Sequence, residues 1–219
     1  MTWLFGAKEI RDAIKKLDYN NACDIDNIYA EHFKYASSNV FPMLAMCLTG
    51  FLIHGTLPHT MISVIIVPVI KDKTGKINSK DNYRSIALAS ILSEIFENVL
   101  FNGLETYLLT TDNQDGFKRR HGIDMCIYAL KEIVQKYRSL NSTMFLCFLD
   151  ASKAFDRVNH AKLFEKLVQQ GTPGYLVRIL MFWYAHQSMI VRWGDAMSEP
   201  FQVSNDVRQG GIWMTYRKG

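Results

Sequence analysis

The 219-residue chain predicts an α+β fold, dominated by helices with a few strands sheltered among them. Three observations lead there. Ile91, Leu92, Ile95, Phe96, Val99, Leu100, Leu104, Tyr107 and Leu108 recur at helical spacing, which predicts a long amphipathic helix with a broad buried face. Val64-Ile65-Ile66-Val67 is short and β-branched, hence a strand. Met144 to Leu149 is apolar at every position, the pattern of a central strand covered on both faces.

The other elements follow in chain order. Ile10, Ile14 and Leu17 mark a first short helix. Asn20 to Asp26 reads as a polar turn, followed by a helix holding Tyr29, Phe33 and Tyr35. Val40 to Ile53 is apolar enough for a buried helix, ended by Gly55 and Pro58. Lys71 to Lys76 forms a basic turn whose Gly75 suits a hairpin. Ile123, Ile127, Leu130, Val134 and Tyr137 predict another amphipathic helix. Asn159 offers a side-chain cap to a helix carrying Leu163, Phe164, Leu167 and Val168. A further helix spans Tyr175 to Ala185, and Met189 to Trp193 can pair with Pro200 to Ser204 around Gly194. No repeat, low-complexity block or Gly/Pro-rich linker divides the chain.

Composition narrows the function classes. The chain is 48% hydrophobic and 21% charged, as in globular proteins. A net charge of +4 permits a polyanionic partner without demanding one. Cys23, Cys47, Cys126 and Cys147 form no CxxC pair, which argues against zinc; three of them lie in apolar runs, as core thiols do, and a reducing intracellular compartment fits. The N-terminus has no secretory pattern, and the apolar run from Met61 to Ile70 is far shorter than the ~20 residues of a membrane helix.

Four stretches carry residues suited to chemistry. Asp150 closes the apolar run, and Asp156 follows six residues later. Each is either a solvated or capping carboxylate or, for Asp150, a magnesium ligand at a rigid strand end. Lys71 and Arg84 flank a turn: a solvated tip, or a point charge and a guanidinium fork for a polyphosphate. Gln209 precedes Gly210 and Gly211, which permit close backbone approach. Lys118-Arg119-Arg120-His121 is a basic loop that could touch a nucleic-acid backbone.

The order of these stretches resembles the reverse transcriptase domain of non-LTR (LINE-type) retrotransposons, from about Lys8 to Gly211. Asn21 to Ile28 looks like the turn upstream of the fingers, with Asp24 where glycine is usual. Asn82-Tyr83-Arg84-Ser85-Ile86-Ala87-Leu88 is similar to the family's YRPIxL motif, Ser85 replacing proline. Gln114-Asp115-Gly116-Phe117 matches its QxGF element. Phe148 to Asp156 matches the palm motif with the first catalytic aspartate, and Val203 to Gly211 the following one, with Asp206 at a usual glycine.

The resemblance implies the fingers and partial palm of a right-hand polymerase with a small antiparallel palm sheet. Residues 1–140 would form the fingers, an upstream helical extension and the start of the palm; 141–211 the partial palm; 212–219 a divergent tail. It implies an RNA template, a DNA primer and deoxynucleoside triphosphates as partners, no membrane, and a nuclear location. Asp150 would be catalytic and, with the Ala151 carbonyl, ligate Mg2+. Lys71, Arg84, Phe155, Gln209 and Gly210 would bind the nucleotide, Phe155 excluding a 2′-hydroxyl. Lys118, Arg119 and Arg120 would contact nucleic acid.

No Asp-Asp dipeptide occurs in the sequence, whereas the family's aromatic-x-Asp-Asp hairpin follows its RQGG-like motif. The expectation is a C-terminally truncated reverse transcriptase, catalytically incomplete alone; the alternative is a non-catalytic nucleic-acid-binding remnant. A nuclease built on Asp150 would need more neighbouring carboxylates than the motif order supplies.

Overall fold

A computed structural model of the chain describes residues 4–19, 26–108, 122–150 and 158–203. Helix α1 (Ala7–Lys16) starts after Gly6, whose N–H donates to the Glu9 carboxylate at 2.8 Å, and buries Ile10, Ala13 and Ile14. Helix α2 (Ala30–Lys34) is short and packs on α1. Helix α3 (Val40–His54) stops at Gly55, which takes the left-handed conformation (φ 70°) that a helix C-terminus favours. Only one face of α3 is covered: Ala45, Leu48 and Leu52 are buried while Met43, Met46 and Ile53 are exposed. The buried helix expected from composition is therefore half-buried, because apolar content does not say how many neighbours a helix has.

A single turn, α4 (His59–Ile62), feeds strand β1 (Ser63–Ile70). Strand β2 (Tyr83–Leu88) returns antiparallel to β1 after a 3-10 turn over Lys80–Asn82. Helix α5 (Ile91–Leu104) is the centre of the core. Ser90 caps it by accepting from the Ser93 N–H at 3.1 Å. Phe96, fully buried, meets Phe5 edge-on (5.9 Å between centroids) and stacks against Trp183 (5.7 Å).

Helix α6 (Ile123–Ser139) forms as its periodicity predicts, yet none of its residues is buried among the described residues. Helix α7 (His160–Gln169) begins at Asn159, whose side chain accepts from the Lys162 N–H at 3.1 Å. It packs on α8 (Gly174–His186) through His160 and Phe164 against Tyr184. From α8, Arg178 reaches the C-terminus of α3 and donates to the Leu52 and Ile53 carbonyls (3.5 and 2.5 Å), where a cation suits the helix dipole.

Strand β3 (Ser188–Trp193) pairs parallel with β1, then turns through Gly194 (φ 60°) into β4 (Ala196–Met197). Strand β5 (Phe201–Gln202) pairs with the start of β3. The expected pairing is observed in part: Phe201 and Gln202 pair with Met189 and Ser188, but the strand that closes the turn at Gly194 is Ala196–Met197, not Pro200–Ser204. The sheet order is β2-β1-β3-β4 with β5 also on β3. It is a mixed sheet, not a purely antiparallel one, because β1 and β3 align in parallel, with the Ser63 and Ser188 hydroxyls 3.2 Å apart at their buried ends.

Two expectations are corrected. Met144 to Leu149 is not a strand: the run is irregular, with Phe145 and Leu149 more than nine-tenths exposed. A strand's ladder bonds come from a neighbour, and among the described residues no strand pairs with this run. Cys47, Cys126 and Cys147 are exposed rather than core thiols. They lie on the outer face of α3, on uncovered α6 and in the irregular run.

Candidate nucleotide and template site

The β1–β2 hairpin presents the two cations singled out from the sequence. Asn82 fixes the connecting loop. Its side-chain oxygen accepts from the Asp72 N–H (3.1 Å), its amide donates to the Asp72 carbonyl (2.9 Å), and its own carbonyl accepts from the Lys71 N–H (2.7 Å). Tyr83 adds a second brace, donating its hydroxyl to the Ile77 carbonyl at 2.8 Å. Asp72 accepts from the Thr74 hydroxyl and N–H at 2.7 and 2.8 Å. These bonds, the hydroxyl's foremost, hold its carboxyl below the usual carboxylate range.

Register then places the cations. Val69 lies opposite Arg84, and the Lys71–Asn82 bond continues the ladder. Cross-strand partners share a face, so Lys71 and Arg84 are diagonal neighbours on one face, about 7–8 Å apart. Both are exposed. The Lys71 ammonium donates to the Asp81 carbonyl at 2.9 Å, which turns it along the hairpin. Two exposed cations on a braced hairpin can grip a polyphosphate.

Two further side chains join this end of the sheet that sequence reasoning did not single out. Parallel pairing sets Val191 opposite Ile66, so Arg192 falls on the same face as Val67, Arg84 and Lys71. Trp193 falls on the other face, its ring 5.3 Å from that of Tyr83. A strand over Met189–Trp193 was legible; its parallel alignment with β1 was not.

Asp150 is exposed and ends the irregular run after α6. No hydrogen bond or ion pair among the described residues joins it to the hairpin. Nor do the described residues contain three His, Cys, Asp or Glu side chains grouped to hold a metal ion. One carboxylate can share a single magnesium ion with water and phosphate oxygens but is too few to hold two, so the described residues do not fit a metal pair. Ala151, Phe155, Asp156, Gln209, Gly210, Asp206, Lys118, Arg119 and Arg120 lie outside the described residues. Among the described residues, no helix is long and apolar enough to cross a membrane.

Comparison with known proteins gives this arrangement its context. The family described as "Reverse transcriptase (RNA-dependent DNA polymerase)" matches residues 70–213. A probable RNA-directed DNA polymerase from transposon BS of Drosophila melanogaster is 28% identical over 211 residues, covering 94% of this chain and 23% of that protein. The RNA-directed DNA polymerase from mobile element jockey of Drosophila funebris is 22% identical over 209 residues, with the same two shares. The Pol polyprotein from type-1 retrotransposable element R2 of Popillia japonica is 27% identical over 127 residues, covering 56% of this chain and 17% of that protein. The chain thus spans less than a quarter of the length of these relatives.

Proposed function

Because this chain belongs to the reverse transcriptase (RNA-dependent DNA polymerase) family, with relatives among non-LTR retrotransposons, we propose that it supplies the nucleotide-gripping part of a polymerase that copies RNA into DNA. The observation that carries this reading is the exposed pair Lys71 and Arg84, set on one face of a braced hairpin. Phosphoryl transfer depends mostly on positioning and charge neutralisation, which is what such a pair provides.

In this reading residues 1–140 hold the fingers and the start of the palm of a right-hand polymerase, and 141–211 part of the palm. Lys71 and Arg84 take the triphosphate of a deoxynucleotide; Phe155 excludes a 2′-hydroxyl; Gln209 and Gly210 line the base pocket. Lys118, Arg119 and Arg120 touch the template–primer backbone. The family uses divalent metal ions, and Asp150 with the Ala151 carbonyl is where we would place one. Magnesium would there offset phosphate charge. Asp150 brings one carboxylate to that task.

The test is nucleotide binding to the 219-residue chain, read by fluorescence of a labelled deoxynucleoside triphosphate. Arg84→Ala and Lys71→Ala should each weaken binding about tenfold, since a hydrogen bond to a charged group is worth ~1.5–3 kcal/mol and 1.4 kcal/mol is a decade. Unchanged affinity in both variants refutes the assignment. The same chain is expected to extend no primer, one carboxylate being too few for two metals. Extension that vanishes in Asp150→Asn would overturn that part.

A further inference from the structure

At the open end of the sheet, Trp193 is the last residue of β3 and is 58% exposed. Exposed in this way, the indole offers a flat apolar face at the end of the strand. Its ring is not loosely held. The backbone at Trp193 pairs with Ala196 across the β3–β4 turn, and its side chain rests on Tyr83 with the rings 5.3 Å apart and tilted by 55°. Tyr83 is in turn fixed by its hydroxyl bond to the Ile77 carbonyl. The aromatic pair is therefore tied to the same loop that carries Lys71, Lys73, Lys76 and Lys80, all exposed.

The loop beside this platform is net basic. Lys73, Lys76 and Lys80 stand there against Asp72 and Asp81, while Asp195 lies in the turn after Trp193. Asp72 is engaged by the Thr74 hydroxyl and N–H. A rigid aromatic face bordered by exposed cations is the combination that single-stranded nucleic acid recognises: bases stack on the ring and phosphates meet the lysines. A duplex hides its base faces and would find only the cations. A protein surface would be drawn to the apolar ring without needing the lysines.

We propose that Trp193, backed by Tyr83, is a base-stacking platform for the unpaired RNA template strand, with Lys73 and Lys76 neutralising its phosphates. This rests on the polymerase reading for the identity of the strand as template. It uses the sheet face opposite Lys71 and Arg84, so nucleotide and template would occupy different sides of one hairpin.

The experiment measures binding of the full chain to a fluorescently labelled single-stranded RNA of about a dozen nucleotides, and to the same strand annealed to its complement. Trp193→Ala should weaken single-strand binding about tenfold, the scale of one stacked base, with Trp193→Phe retaining most of it. The slope of log affinity against log salt should stay unchanged in Trp193→Ala, because stacking releases no counterions. Lys73→Ala with Lys76→Ala should instead flatten that slope by ~1.4, about 0.7 for each single-strand phosphate left without its lysine. Duplex binding should not respond to Trp193→Ala. Equal loss on single strand and duplex, no loss in Trp193→Ala, or no wild-type binding overturns the proposal. Labelled-nucleotide binding run beside it, with Arg84→Ala, reports separately on the polymerase reading.

Discussion

Replacing Gly55 by alanine tests how the helices are locked together. Gly55 ends α3 at φ 70°, where an L side chain is strained by about 1–2 kcal/mol. A β-carbon there would also lie 2.5 Å from the Arg178 Nε and 3.0 Å from its Cδ, so the guanidinium must move. Moving it forfeits the bonds to the Leu52 and Ile53 carbonyls, worth ~1.5 kcal/mol at the low end because the group is partly solvated. The sum is a destabilisation of about 2.5–3.5 kcal/mol, or several degrees in Tm at ~2–4 °C per kcal/mol for a chain of this size. Urea unfolding followed by circular dichroism reads it. In an Arg178→Ala background the guanidinium is already gone, so Gly55→Ala should cost only the backbone strain, and the two changes should be non-additive by more than ~1 kcal/mol. Loss below ~0.5 kcal/mol in Gly55→Ala, or strict additivity, would refute the reasoning.

Other outcomes follow from single contacts. Asn159→Ala removes the α7 cap and should cost ~1 kcal/mol in the same unfolding assay, while Asn159→Asp should keep most of the stability. Phe96→Ala empties the space between Phe5 and Trp183 and should cost ~3–5 kcal/mol, enough to abolish the cooperative transition in a marginal domain. Asp72 has a lowered folded pKa, so its stabilisation of the hairpin loop is present above the ordinary carboxylate range and fades as pH falls through the folded value. Carboxyl-carbon NMR should show Asp72 titrating low, and Thr74→Ala should bring it back up. Phe145 and Phe148 are 92% and 78% exposed beside the uncovered α6. Replacing both with lysine should reduce aggregation in light scattering without lowering Tm.

Helix ends were largely legible because their signals are local. Asn159 and Gly55 act on backbone groups within a turn or so of themselves, and each marks the boundary the structure shows; the cap at Ser90 is as local, though the sequence reading did not single it out. The hairpin cations were also legible, since Lys71 and Arg84 flank one loop. What the braces do was less so: Asn82 and Tyr83 read as motif letters until their bonds to Asp72 and Ile77 are seen. The irregular run to Leu149 misled because an apolar string states a preference for burial and cannot supply the neighbour that satisfies it.

By itself the sequence determined the helices, the turns, the hairpin and the family to which the chain belongs, all properties of residues near one another or of their order. Only the tertiary structure decided which faces are shared. Ser63 meets Ser188 across 125 positions, and that parallel alignment alone puts Arg192 on the side of Lys71 and Arg84, and Trp193 against Tyr83. The physical reason is that a strand's side chains alternate with a period of two. A shift of one residue between distant strands would exchange every one of those assignments, and no local signal fixes it.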